Sequence, residues 1–315
     1  MSDSSSAAAS FATQPSHAPR LLIRRSTSEP RSLFGEIAVA MRETWNSREL
    51  VQQLVLRDVR VRYQQAVMGF AWALFMPLMI VLSGTLVRIA MATASGSALQ
   101  PSILGATAVK GIAWAFFAGA LGTGTQSLLS NSALITKLYF PREVLPLSAV
   151  LSQAVDTAIG AVALVFLLPF LGLQLTAALL WVPVLAALLF VITVVFALFT
   201  SCANLFFRDV KYIVQVVLTF GIFLTPVFFE PAMFGPVGGP MMMLNPVSPI
   251  IEGFRLCVIE GHDLLAPLIV TNSHGARILS WTPWYLVYST VWALGGLVLS
   301  MRIFRRSAVL FAEYA

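Results

Sequence analysis

Six apolar runs constrain this chain more than any motif does. They cover residues 68–91, 103–129, 144–172, 179–205, 212–229 and 284–303. A helix needs about 20 apolar residues to cross about 30 Å of hydrocarbon, so each run reads as one membrane span. Only 11% of the 315 residues are charged, against roughly 25% in an ordinary soluble domain, and the mean hydropathy is +0.83. A water-soluble enzyme, a disordered regulator and a disulfide-stapled secreted domain are thereby excluded. The expectation is an all-α membrane protein with six transmembrane helices. Residues 1–33 are rich in Ser, Ala and Pro and carry no apolar run, so they read as a disordered tail rather than a signal peptide.

Charge sets the orientation. With six spans, sixteen of the twenty Lys and Arg fall on the N-terminal side: Arg20, Arg24, Arg25, Arg31, Arg42, Arg48, Arg57, Arg60, Arg62, Lys137, Arg142, Arg208, Lys211, Arg302, Arg305 and Arg306. Arg88, Lys110, Arg255 and Arg277 fall on the other. Positive-inside bias then places both termini in the cytoplasm. The net charge of +6 follows from the same bias and implies no nucleic-acid partner. Cys202 and Cys257 fall near opposite membrane faces and cannot pair.

Residues 47–63 read as an amphipathic helix lying in the membrane interface. Leu50, Val51, Leu54, Val55 and Val59 form one stripe; Glu49, Gln52, Gln53, Arg57 and Arg60 form the other. Arg57, Arg60 and Arg62 sit where this helix meets the first span. They serve either as anchors on lipid phosphates or as guides for a substrate's pyrophosphate. Between spans two and three, Ser130 or Asn131 is placed to cap a two-turn helix that must end before Pro141. Its Leu134, Ile135, Leu138 and Tyr139 are expected at the surface, as a docking face or as a plain linker. Between spans five and six, Ser248-Pro249 opens a helix of about a dozen residues that Gly261 stops. It is too short to span, so a re-entrant or interfacial segment is expected, with Glu252 and Arg255 paired across one turn.

Inside the spans, Asp156 needs a partner, since a lone carboxylate costs about 2.5–3.5 kcal/mol at mid-membrane. Gln153, Lys110 and Arg88 are the candidates. Gly111, Ala115, Gly119 and Gly122 give span two a small-residue face for close helix contact. Trp72, Phe75 and Met79 share one face of span one, and Phe220, Phe223 and Phe228 populate span five. They are either packing aromatics or, as a set, a lining on which sugar rings stack.

Six strings together carry a family resemblance. They are RDVRVRYQQAVMGFAWALFMPL (57–78), SNSALITKLYFPREVLPLSAVLSQAVD (130–156), NLFFRDVKYIV (204–214), LTPVFFEP (224–231), LNPVSPIIEGFR (244–255) and IFRRSAVLFAEYA (303–315). In that order they resemble type-2 ABC transporter permeases of the polysaccharide, O-antigen and teichoic acid export family. The resemblance implies a homodimer binding two copies of a separate ABC ATPase subunit and exporting a lipid-linked polysaccharide across the bacterial inner membrane. It makes 131–139 a coupling helix, with Leu134, Ile135, Leu138 and Tyr139 as apolar knobs and Lys137 and Arg142 as rim charges. Arg208, Asp209 and Lys211 become a second contact, and the outer segment a gate. The implied domains are a tail at 1–33, an interfacial helix region at 34–66, the transmembrane domain at 67–305 and a cytoplasmic tail at 306–315.

The residues agree with that division of labour. No G-x-x-x-x-G-K-S/T string occurs, so no phosphate-cradling loop is expected in this chain and ATP and Mg fall to the partner subunit. No catalytic residue, metal site or cofactor is expected here. A membrane-embedded glycosyl or lipid transferase would cluster acids or histidines at one face. His17, His262 and His274 are scattered, and Glu260, His262 and Asp263 are the sole close group. A type-2 exporter of lipids or drugs is the alternative within transport.

Overall fold

The computed structural model describes residues 33–64, 71–96, 101–137, 140–171, 173–271, 277–308 and residue 311. Two helices precede the first apolar run: α1 (Leu33–Asn46) and α2 (Arg48–Gln64). Then come α3 (Ala71–Ser95), α4 (Pro101–Ser130), the short α5 (Ser132–Lys137) and α6 (Val144–Leu167). Two 3-10 turns lead into α7 (Trp181–Phe206), followed by α8 (Val210–Leu224). Next are α9 (Gly235–Met242), α10 (Ser248–Val258), strands β1 (Leu268–Thr271) and β2 (Arg277–Trp281), and α11 (Pro283–Ser307).

Four helical segments are long and apolar enough to cross a membrane: Ser102–Ser130, Val144–Leu171, Ala177–Phe206 and Pro283–Ser307. Two further apolar stretches, Val81–Ala94 and Val210–Leu224, are shorter. At 1.5 Å per residue, α8 is only about 22 Å long. The chain is all-α as expected, with one small addition: β1 and β2 form an antiparallel hairpin just before α11. The 34–66 region holds two helices, α1 and α2, where the amphipathic stripe marks only the second.

α4 is the axis of the fold. It packs against α3, α6, α7, α8 and α10, while α11 lies on α7, and α2 on α6. Between apolar helices in lipid, close backbone approach replaces hydrophobic driving force. Two of the close approaches use glycines other than those picked from the sequence. A Cβ on Gly124 would stand 2.8 Å from the Cβ of Ala197, and one on Gly105 2.4 Å from the Leu171 carbonyl oxygen. Among the expected positions, Gly119 meets the Gln153 side chain of α6, whereas a Cβ on Gly122 would meet open space.

Every residue of α10 is buried, although the helix has only 11 residues. Its start differs from the expected cap. The Ser248 hydroxyl is buried without a partner, and Asn245 closes the turn instead. Its side-chain oxygen accepts from the Val247 N–H at 3.1 Å, and its carbonyl accepts from the Ser248 N–H at 2.9 Å. Beyond the C-terminus, Gly261 takes φ +62°, a left-handed geometry that favours glycine. Cys202 and Cys257 are both free and buried.

Candidate functional site

The arginine-rich end of the molecule is assembled by α2, α4, α5 and α6. The amphipathic stripe of α2 is seated as expected, with Val51 and Leu54 buried and Gln52, Gln53, Arg57 and Arg60 exposed. Its seat is α6, and ionic contacts hold it there. Arg62 forms an ion pair with Asp156 of α6 and donates to the Gln153 side-chain oxygen at 3.3 Å. The Tyr63 hydroxyl donates to the other Asp156 oxygen at 2.7 Å. Burial pushes that hydroxyl's pKa up, with the neighbouring Arg62 charge offsetting part of the rise, so Tyr63 stays a neutral donor. Asp156 thus draws its partners from α2. The expectation that Lys110 or Arg88 would reach it is wrong, and Arg62 is engaged within the fold rather than free for an incoming pyrophosphate.

One and a half turns earlier, Arg57 donates to Asp58 at 2.8 Å and to the Asn131 side-chain oxygen at 2.8 Å. Asn131 sits at the junction of α4 and α5, and its amide nitrogen donates back to the Ser127 carbonyl at 2.9 Å. Its side chain therefore ties α2 to the junction rather than capping α5. The α5 turn closes on the Asn131 carbonyl, which accepts from the N–H groups of Leu134 and Ile135.

The residues expected on the surface of α5 divide. Lys137 is exposed and Leu134 half-buried. Ile135 is 4% exposed and belongs to the chain's own core, so it is no surface knob. Leu138 and Tyr139 lie outside the described residues. Arg142 is no rim charge either: its guanidinium donates to the Ala308 carbonyl and lies 5.7 Å from the Phe311 ring centroid. Arg208 and Asp209 are exposed, and the Lys211 ammonium stands 4.8 Å from the Tyr212 ring centroid.

Two grooves open on this side. One, of about 510 Å³, runs between α2, α4 and α6 and is lined by Arg57, Arg62, Gln126, Ser127, Asn131 and Ser152 among others. The second, of about 600 Å³, lies between α4 and α8 with Gly122, Gln126, Lys211, Tyr212, Gln215 and Thr219 in its wall. Gln126 is common to both. Phe220 and Phe223 of α8 are 63% and 50% exposed and Phe75 is half-buried, while the Trp72 side chain lies outside the described residues. Phe228 is 4% exposed, packed edge-on to Phe223 at 5.7 Å between centroids. It is a core residue and not a lining one.

A charged cluster that the sequence reading missed occupies the other end. Arg255 bridges Glu252, at 2.5 Å, and Glu260. Lys110, wholly buried in α4, stands 3.9 Å from Glu252 and donates to the Phe229 carbonyl at 3.1 Å. Arg88 of α3 pairs with Glu230 at 3.0 Å. Three cations and three carboxylates thus knit α3, α4, the segment after α8 and α10. The expected Glu252–Arg255 pair is present, but as one edge of a lattice. A signal for the rest existed in Lys110 and Arg88, lone cations within apolar runs, which need nearby acids. Glu260 is taken by Arg255, Asp263 accepts from the Trp181 indole at 3.0 Å, and a His262 ring nitrogen meets the Ala266 carbonyl at 3.0 Å. Those three side chains therefore face separate partners. Among the described residues no cluster of three or more His, Cys, Asp or Glu is placed to hold a metal ion.

Long apolar helices, a basic end and a buried ionic lattice define a multi-pass helical membrane protein. Residues 49–259 match the family model of the ABC-2 type transporter, which is well over half of the chain. The chain belongs to the ABC-2 type transporter family. Among its relatives, the O-antigen export system permease protein RfbA of Klebsiella pneumoniae is 24% identical over 229 residues, covering 71% of this chain and 86% of that protein. The O-antigen export system permease protein RfbA of Myxococcus xanthus is 25% identical over 222 residues, covering 70% and 84%.

Proposed function

We propose that this chain is the permease subunit of an ATP-driven exporter that moves a lipid-linked polysaccharide, of O-antigen or similar type, across the bacterial inner membrane. On this reading α3 and α8 complete a set of six spans, the α9–α10 region is re-entrant on the outer side, and both termini face the cytoplasm. Two copies pair and bind two ATPase subunits, which hold ATP and Mg. The observation that carries the reading is the position of α5. It is a six-residue helix at the basic end, joined to α4 through Asn131 and braced to α2 by Arg57. A short helix held from two sides transmits a push from a docked partner into the spans as a rigid-body displacement. The O-antigen export permeases among the relatives supply the substrate class.

In this mechanism Lys137 and Leu134, with Leu138 and Tyr139, meet the ATPase, and Arg208, Asp209 and Lys211 make the second contact. Closure of the ATPase pair drives α5 and so α4, which walls both grooves. Arg60 remains to guide the substrate's pyrophosphate by charge-assisted hydrogen bonds, since Arg62 is held by Asp156 and Arg57 by Asp58 and Asn131. The exposed Phe220 and Phe223, with the half-buried Phe75, offer faces on which sugar rings stack irrespective of sequence. Deleting the gene tests the reading. Lipid-linked polymer should accumulate on the cytoplasmic face, and wild-type complementation should return it to the outer face. Normal polymer export from the deletion strain overturns the substrate assignment. Accumulation of a drug or an unglycosylated lipid instead would identify a different kind of exporter.

A further inference from the structure

A slot unrelated to either groove lies on the opposite side of α6. The α2/α4/α6 groove uses Leu145, Ala149 and Ser152 of that helix, whereas the slot uses Leu147 and Leu151. Steps of two residues turn a helix by about 200°, so the two cavities have α6 between them. The slot holds about 430 Å³, within the range of pockets that enclose a small ligand. It is elongated: Phe190, Val191, Val194 and Leu198 of α7 line it, and positions eight apart are about 12 Å apart along the axis. Leu297 and Met301 of α11 complete the apolar wall.

Its mouth has a different chemistry. Thr44, Trp45 and Arg48, at the bend between α1 and α2, close over the basic end of the slot. The Thr44 hydroxyl oxygen is buried with no hydrogen-bond partner, in a class of groups that are nearly always satisfied. Arg48 is exposed and makes no ion pair with any described residue. Glu143, the acid at the mouth, is neutralised by Arg305 at 2.8 Å. An apolar channel running along the span axis, with an interfacial Trp and an unpaired Arg at its rim, matches a lipid with a phosphate head.

We propose that this slot binds one acyl chain of an anionic phospholipid from the leaflet at the basic end, with the phosphate at Arg48 and an ester or glycerol oxygen at the Thr44 hydroxyl. Its place across α6 from the polar groove argues for a resident bilayer lipid rather than the transported molecule. The proposal does not depend on what the protein exports.

The test uses the full-length protein in mixed micelles, with Trp45 as reporter and the Trp45→Phe signal subtracted. Phosphatidylglycerol brominated on its acyl chain should quench Trp45 at about a fivefold lower mole fraction than brominated phosphatidylcholine, as expected for one arginine near an anionic head. Arg48→Gln should erase that preference, and Val194→Phe, which fills the slot, should weaken quenching by both lipids. Arg48 is a surface residue, so its variant decides the matter even if Val194→Phe does not fold. Equal quenching by the two lipids, or a preference that survives Arg48→Gln, overturns the proposal. Displacement of brominated phosphatidylglycerol by an equimolar polyprenyl phosphate also overturns it, by assigning the slot to the substrate's chain.

Discussion

The two ends of this molecule handle buried charge in opposite ways. At the basic end the buried Asp156 is met by two donors from α2, with Arg62 keeping 34% of its side chain exposed, and the buried Glu143 is met by the partly exposed Arg305. At the other end Lys110 and Glu252 are both fully buried, and four segments of chain meet in a balanced lattice of three cations and three carboxylates. The first arrangement fastens α2 to α6. The second fixes segments to one another around Lys110 and Glu252, which water does not reach, while Glu230 and Glu260 at its edge keep 32% and 39% of their side chains exposed. The contrast teaches where a stranded charge is costly: water can partly replace a lost partner at the half-exposed Arg62, whereas it cannot at Lys110 and Glu252.

The largest effect should therefore follow removal of one lattice member. Glu252→Ala leaves Arg255 and Lys110 short of a counter-charge and should cost about 3–5 kcal/mol, read as a lowered thermal midpoint in detergent. Replacing Lys110 and Glu252 together by Met restores charge balance and should recover most of that loss. If the double variant is no better than the single one, the lattice does not act as a unit.

Asp156→Asn should cost less, about 1–3 kcal/mol for the charge-assisted bonds, and the loss should be local. Limited trypsinolysis at Arg57, Arg60 and Arg62 would accelerate while the global midpoint changes little. A global collapse equal to that of Glu252→Ala would erase the distinction between the two ends. Asn131→Ala should be milder still, about 0.5–1.5 kcal/mol, detaching α2 from the α4–α5 junction. Arg60→Ala should shift stability by less than about 0.5 kcal/mol, as surface changes do, while lowering the export rate measured by surface polymer. Unchanged export would remove Arg60 from the entry path.

The apolar runs were legible because hydrocarbon admits few backbone solutions, and the bounds of α4, α7 and α11 agree with the runs to within a few residues. The amphipathic stripe of α2 was equally readable, since 3.6-residue periodicity shows which face is covered. Partner choice was not legible. Asp156 had several candidate cations in sequence, and only three-dimensional packing decided for Arg62 over Lys110. Ile135 reads as a surface group, and Phe228 as either packing or lining, because a short loop helix and a span end carry no sign of which neighbours will cover them. Arg142 was misplaced for the same reason: its partner, the Ala308 carbonyl, is 166 positions away. The hairpin before α11 was hidden in a stretch whose apolar residues alternate over only four or five positions.

On the function proposed above, a separate ATPase subunit moves this conduit through α5. The most direct measurement is ATP turnover by the permease–ATPase complex in nanodiscs, with and without lipid-linked polymer, for the wild type and for a glycine inserted between Ala133 and Leu134. The account predicts polymer-stimulated turnover in the wild-type complex, no turnover by the purified chain alone, and loss of the stimulation on insertion with the complex still assembled. Turnover by the isolated chain, or full stimulation after the insertion, would contradict it.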